Sequence, residues 1–153
     1  MKLVVISDSH GNKSGINKIF ESVQFDYLFF LGDGLGDLGN YIYLDNVYAV
    51  SGNCDFFSSY PNERIIELAG KKLLITHGNR YGVKGGINNL LEYAHTQGVD
   101  IVLFGHTHKQ IAEERQGLFV ANPGTFKRNS DGESRGLIIN IDEDDISIET
   151  LIV

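Results

Sequence analysis

Seven residues in this chain combine the types and positions needed for metal chemistry: Asp8, His10, Asp33, Asn53, His77, His106 and His108. They fall in five short blocks, ISDSH, LGDG, SGNCD, ITHGN and FGHTH, each closing an apolar run. Two carboxylates, four imidazoles and one amide suit Mn, Fe, Co, Ni or Zn rather than an all-oxygen calcium site or a thiolate zinc site. Cys54 is the single cysteine, so no Cys pair exists to build a structural zinc. Taken one at a time, the blocks are weak signals. Asp8 with His10 reads equally as a strand-end Asx turn, and Gly32-Asp33-Gly34 and Gly52-Asn53 as plain turns. His106-x-His108 is more specific, because alternate residues of an extended chain project to the same side and present two imidazoles together. His95, the remaining histidine, lies on a predicted helix and reads as an ordinary surface or core residue.

Seven protein ligands exceed what one such ion takes, whereas a carboxylate shared between two ions lets them serve two four-ligand sites. Asp33, flanked by glycines that admit close backbone approach, is the natural bridge. Two divalent ions outweigh the two carboxylates and a bridging hydroxide, so a positive pocket that attracts an anion is expected in an otherwise acidic protein. Ions roughly 3.5–4 Å apart lower the pKa of a shared water, orient the hydroxide and stabilise both oxygens of an in-line displacement at phosphorus. Hydrolysis of a phosphate ester is the expected chemistry.

For these blocks to meet, five strands must deliver them to one place. Apolar runs at 3–6, 27–31, 47–50, 73–76 and 101–104 read as buried strands. Helical spacing of Ile16, Ile19, Phe20 and Val23 over 15–24, and of Ile87, Leu90, Leu91 and Ala94 over 87–97, predicts amphipathic helices between them. The 35–45 stretch reads as a further short helix. Alternation of strand and helix predicts an α/β fold with parallel crossovers, in which ligands gather at the carboxyl ends of strands. After His108 the runs at 110–115, 118–121, 136–141 and 146–152 are separated mostly by short polar turns, which predicts a mostly antiparallel second half. Residues 127–135 are expected as a loop, Pro61 and Pro123 in turns, and Gly85-Gly86 as a helix entrance, since no Walker pattern is present.

A length of 153 residues with 42% hydrophobic content supports one domain, 1–153, with a real core. The net charge of -7 disfavours stable nucleic-acid binding through a broad basic surface. The first apolar run is too short for a signal-peptide core or a membrane span, and a lone cysteine allows no intrachain disulfide. A cytoplasmic protein without membrane contact is therefore expected.

In the order and spacing of its blocks the chain resembles the calcineurin-like metallophosphoesterases, and among them the small bacterial and archaeal phosphodiesterases with a shorter Gly-Asn-Cys-Asp block. The likeness runs from Asp8 to His108 and on to Asn122-Pro123-Gly124-Thr125. It implies a four-layer fold, a two-sheet β-sandwich flanked by helices. It implies one metal held by Asp8, His10, Asp33 and His108, and a second held by Asp33, Asn53, His77 and His106. Manganese is the expected occupant, with Ni, Fe, Zn or Co compatible. A small phosphate-ester substrate and a homo-dimer or tetramer are implied as well.

Asp33, Asn53, Cys54 and Asp55 are the candidate catalytic residues. Cys54 stands where many members of the family carry a histidine that binds phosphate and protonates the leaving group. A thiol donates weakly and a thiolate repels phosphate, so diesters and good leaving groups are expected over unactivated monoesters. The competing reading of Cys54 is a small residue filling a turn. Asp55 is expected to orient Asn53 or a metal-bound histidine. Asn12, Asn53, Asn79 and Arg80 are candidate phosphate contacts, Arg80 through a charge-assisted bond. For Asn12, Asn79 and Arg80 the alternative is a solvated loop residue. Two other functions share such a fold: a non-catalytic scaffold like the retromer subunit, and a protein phosphatase or nuclease. The full ligand set argues against the first, and the lack of room for insertions against the second.

Overall fold

Among residues 1–56 and 58–153, which the computed structural model describes, ten strands form two mixed sheets. The first runs β10-β9-β1-β2-β3, with β1 (Lys2–Ile6), β2 (Tyr27–Phe30), β3 (Val47–Ala49), β9 (Arg135–Asp142) and β10 (Asp145–Ile152). The second runs β4-β5-β6-β8-β7, with β4 (Glu63–Leu68), β5 (Lys71–Thr76), β6 (Ile101–Phe104), β7 (Gln110–Arg115) and β8 (Leu118–Pro123). Parallel pairs β1·β2, β2·β3, β5·β6 and β6·β8 form the centres, and antiparallel strands finish the edges.

Side chains alternate across a strand, so a run buried on both faces is apolar throughout. Leu3, Val5, Phe29 and Leu31 face Leu73, Ile75, Ile101 and Leu103 between the sheets. Val4, Ile6, Leu28 and Phe30 turn outward onto Ile16 and Ile19 of α1 (Lys13–Ser22). Leu74, Val102 and Phe104 turn outward onto Leu90, Leu91 and Ala94 of α2 (Asn88–Gln97). Each such side chain, fully removed from water, stabilises the fold by about 1.5–3 kcal/mol before entropy is counted. The result is helix, sheet, sheet, helix: the four layers the resemblance implied.

Several expectations need correction. The 35–45 helix is a 3₁₀ segment, Leu35–Tyr43, broken at Gly39, whose φ of 52° lies in the left-handed region. Gly36, Gly39 and Asn40 are poor helix formers, which leaves too little propensity for a regular α turn. Helix α1 starts earlier than expected because the Asn12 side chain accepts from the Gly15 N–H and caps it. Pro123 ends β8 instead of sitting in a turn, a position where a missing N–H is tolerated. Within the second half, β8 joins β6 in parallel. Strand β4 was not expected at all. It is an edge strand that, among the described residues, pairs only with β5, and its exposed Glu67 masks the alternate burial of Ile66 and Leu68. No helix among the described residues is long and apolar enough to cross a membrane.

Candidate metal centre

The carboxyl ends of β1, β2, β5 and β6 bring six of the seven candidate ligands into two trios. Asp8, His10 and His108 form one; Asp33, His77 and His106 form the other; in each, the donor atoms lie within 4.8 Å of one another. In the first, Asp8 Oδ1 is 3.0 Å from His108 Nε2 and 3.7 Å from His10 Nε2. In the second, His77 Nε2 is 3.3 Å from Asp33 Oδ2 and 3.1 Å from His106 Nδ1. The trios meet at the 106–108 loop, because the His106 amide donates to Asp8 Oδ2 at 3.1 Å while its ring belongs to the other trio.

Both carboxylates are fixed by one oxygen and offer the second. Asp8 Oδ2 takes the Ser7 hydroxyl and the His106 N–H, leaving Oδ1 toward the imidazoles. Asp33 Oδ1 takes the Cys54 N–H at 2.8 Å, leaving Oδ2 toward His77. His77 Nδ1 lies 2.7 Å from the Leu31 carbonyl. A carbonyl only accepts, so Nδ1 carries a proton, which leaves Nε2 as the atom facing Asp33 and His106: protonated when it bonds the Asp33 carboxylate, and a lone-pair donor once that proton is displaced by an ion. Paired carboxylates and imidazoles with free lone pairs aimed at a common point fit divalent transition ions.

The backbone makes this convergence at a cost. Asp8, His10, Asp33, His106 and His108 all have positive φ, from 42° to 69°. Left-handed backbone at a residue with a Cβ costs about 1–3 kcal/mol each and persists only where surroundings over-determine it. Two glycines permit the close packing of the loops. A Cβ on Gly105 would lie 2.1 Å from Ser7 Oγ and 2.9 Å from Asp8 Oδ2, and one on Gly52 would lie 2.1 Å from Asp33 Oδ1.

Electrostatics follow from burial and pairing. Burial pushes the Asp33 carboxyl up, but the His77 hydrogen bond and the Cys54 amide outweigh it and hold the pKa at about 2. Burial pushes His77 down, and its bond to Asp33 with the fields of Asp8 and Asp33 reverses that, so its pKa is raised. Burial, then the positive charges of His77 and Lys84, lower His106. Burial and the neighbouring Asp33 raise the Cys54 thiol.

The remaining candidates separate. Asn53 and Cys54 are exposed on the turn that follows β3, with the Asn53 amide nitrogen 3.5 Å from Cys54 Sγ. The Asp55 carboxylate accepts the backbone N–H groups of Asp33, Gly34, Leu35 and Gly52 at 2.7–3.0 Å. Its partners are therefore amides of the Asp33 and Asn53 loops, in place of the imidazole or Asn53 side chain expected for it. Asn12 is also corrected: it is 7% exposed, and its amide nitrogen is spent on Phe126 O at 2.7 Å and Ser134 Oγ at 2.6 Å. It ties α1 to the 126–134 loop and has no free donor for phosphate. Asn79 Oδ1 accepts from Asn62 at 3.0 Å, and Arg80 stays exposed on the 3₁₀ turn Asn79–Tyr81. His95 is exposed on α2.

Sequence reasoning missed several positioning residues. Asn122 donates to Gly105 O at 2.9 Å and Thr107 Oγ at 3.0 Å, shaping the histidine loop. The Thr125 hydroxyl donates to the Asp8 carbonyl at 2.9 Å. Asp37 accepts from Ser9 Oγ at 2.6 Å and the Gly11 amide at 2.9 Å, holding the turn that carries His10. Only the Asn122-Pro123-Gly124-Thr125 block, quoted above for the family likeness, hinted at any of these.

Comparison with known proteins agrees with this geometry. The chain is 30% identical over 129 residues to the probable metallophosphoesterase YsnB of Bacillus subtilis, across 83% of this chain and 76% of that one. It is 30% identical over 145 residues to the phosphodiesterase MJ0936 of Methanocaldococcus jannaschii, across 81% and 83%. A crystal structure of a predicted phosphoesterase from Streptococcus pneumoniae superposes with a TM-score of 0.86 at 25% identity, covering 98% of this chain and 88% of that one. Residues 1–144 match the calcineurin-like phosphoesterase superfamily domain, and the chain belongs to that superfamily.

Proposed function

We propose that the chain is a dinuclear, metal-dependent phosphodiesterase acting on small phosphate esters. The observation that carries the reading is the pair of Asp/His trios joined at the 106–108 loop, with donors inside 4.8 Å. A scaffold of the same fold has no need of six converging donors, five of them held on left-handed backbone. Asp8, His10 and His108 would hold one ion, and His77, His106 and Asn53 the other, with Asp33 shared between them. Manganese is the expected occupant, and Ni, Fe, Zn and Co match the donors. Bound there, the ions would supply Lewis acidity and an activated water for in-line displacement at phosphorus.

The chain's own groups orient and bind. Asp55 fixes the two loops that present Asp33 and Asn53. Arg80, which forms no ion pair among the described residues, is free to meet a phosphate oxygen, with Asn79 beside it. Cys54 is a poor proton donor to a leaving group, since burial and Asp33 keep its proton on at neutral pH and a thiol donates weakly. A diester, or an ester with a good leaving group, needs that donor least. We place the enzyme in the cytoplasm as a homo-oligomer.

The test is hydrolysis of bis-p-nitrophenyl phosphate and p-nitrophenyl phosphate by chelator-stripped protein, before and after Mn, Ni, Zn or Mg is added singly. Activity that returns with metal, favours the diester and disappears in His108→Ala supports the proposal. A folded protein that stays inactive with every metal defeats it.

A further inference from the structure

We propose that the cleft lined by Thr107, between Lys84 and Lys109, is a substrate subsite that takes one organic arm of the phosphodiester, an apolar body bearing a second anionic group. This rests on the phosphodiesterase reading above. The cleft has a volume of about 560 Å³, and its walls are Val83, Ile87, Phe104 and Ile111. The first three are also part of the core beneath α2, so the walls are rigid. Thr107 lines the same cleft, and its chain neighbours on either side are His106 of one trio and His108 of the other. An ester whose phosphorus sits at the trios therefore has this cleft within reach of one substituent. A volume in the range of ligand pockets fits an aryl or nucleoside-sized body and is wasted on a methyl group.

Charge indicates what that body carries. The protein is acidic overall, with a net charge of -7, yet the charged residues on this cleft are Lys84 and Lys109. Both are exposed, and neither forms an ion pair among the described residues, whereas Lys71, Arg115 and Arg135 all do. Two unneutralised ammonium groups at the rim of an apolar cleft select an anion attached to an apolar body. Gly85 and Gly86 keep the space between open, since a Cβ at either would meet nothing within 4 Å. The other clefts suit the role less. Two lie against Asp26 and Asn46 and another against Lys71 and Asp100, all away from the ligand loops. One beside His108 holds only about 190 Å³, and its Arg135 is already bound by Asp131 and Glu133.

The subsite is tested with 4-nitrophenyl phosphodiesters whose second arm is 4-carboxyphenyl, 4-phosphonophenyl or the neutral 4-carbamoylphenyl, on metal-loaded protein. Wild type should prefer the anionic arms about tenfold in kcat/KM, mainly through KM, the size of one charge-assisted hydrogen bond. The ratio between the two anionic arms tells a phosphate-type from a carboxylate-type group. Lys84→Gln with Lys109→Gln should collapse the preference to about one, and the Lys→Arg pair should keep it. Equal rates for all arms in wild type, or a preference that survives the glutamine pair, overturns the subsite while leaving the diesterase standing. Calorimetric titration with methyl 4-carboxybenzylphosphonate and its carboxamide gives a readout without turnover. If no diester is hydrolysed, a lysine-dependent preference in that titration keeps the subsite and sinks the diesterase, and its absence sinks both.

Discussion

Exchanging Asp55 for asparagine should break half of a four-point clamp. Its Oδ2 accepts from Asp33 and Gly52 at 2.8 and 2.7 Å, and its Oδ1 from Gly34 and Leu35 at 2.9 and 3.0 Å. Asparagine keeps one acceptor oxygen and sets an N–H₂ against the other pair of amides, so two bonds become donor against donor and the other two lose their charge. A hydrogen bond to a charged group contributes about 1.5–3 kcal/mol. Asp55 is half-buried, and water can replace part of what is lost, so the net cost should be about 2–4 kcal/mol. At about 2–4 °C per kcal/mol for a chain of this size, Tm should fall by about 4–16 °C. The assay is thermal unfolding of chelator-stripped protein, which removes any contribution from bound ions. Asp142→Asn, at an exposed residue, is the control. Asp55→Asn should also bind divalent metal more weakly in titration calorimetry, because the loop carrying Asp33, the shared ligand of the proposal, is no longer held. A drop of less than about 1 °C together with wild-type metal affinity refutes the clamp.

Gly105→Ala should cost at least about 2 kcal/mol and abolish metal-restored activity, because its Cβ would stand 2.1 Å from Ser7 Oγ. Gly36→Ala, with nothing within 4 Å, should cost little; equal losses in both would remove the steric argument. Asn12→Ala deletes a helix cap and two buried bonds and should lower stability by about 2–4 kcal/mol with KM unchanged. A raised KM at unchanged Tm would instead return Asn12 to the substrate. In metal-stripped protein, the pH midpoint for alkylation of Cys54 should lie above the ordinary thiol value of about 8.5, since burial and Asp33 favour the neutral thiol. A midpoint at or below that value would show that the negative field of Asp33 does not reach the sulfur.

The six candidate ligands of the two trios were legible because they follow strands that end in runs buried on both faces, and such strands read as unbroken apolar runs. Leu3 to Ile6 and Ile101 to Phe104 announce their ends, and with them Asp8 and His106. Strand β4 was not legible for the opposite reason: an edge strand carries charge on one face, and ERIIEL offers only a weak alternation. The role of Asp55 was hidden because its amide partners Asp33 to Leu35 lie 20 to 22 residues away, and hydrogen bonds between loops leave no pattern in either loop. Asn12 misled because an asparagine after a ligand block looks available, while its partner Phe126 is 114 residues distant. The glycine of SGNCD was read as a turn residue, and that of FGHTH was given no role. Their missing Cβ matters as much for the close approach of one loop to the next.

Each trio takes ligands from both sheets: Asp8 and His10 follow β1 while His108 follows β6, and Asp33 follows β2 while His77 and His106 follow β5 and β6. Asp8 and His108 stand 100 residues apart in the chain. Ions held there would be cross-links in a chain whose one cysteine can form none. A covalent bridge closing a loop of that length is worth about 4–5 kcal/mol in lost freedom of the unfolded chain. The two halves of the sandwich would then be riveted at the end that carries the trios, and a cell short of metal would lose the rivet along with the chemistry.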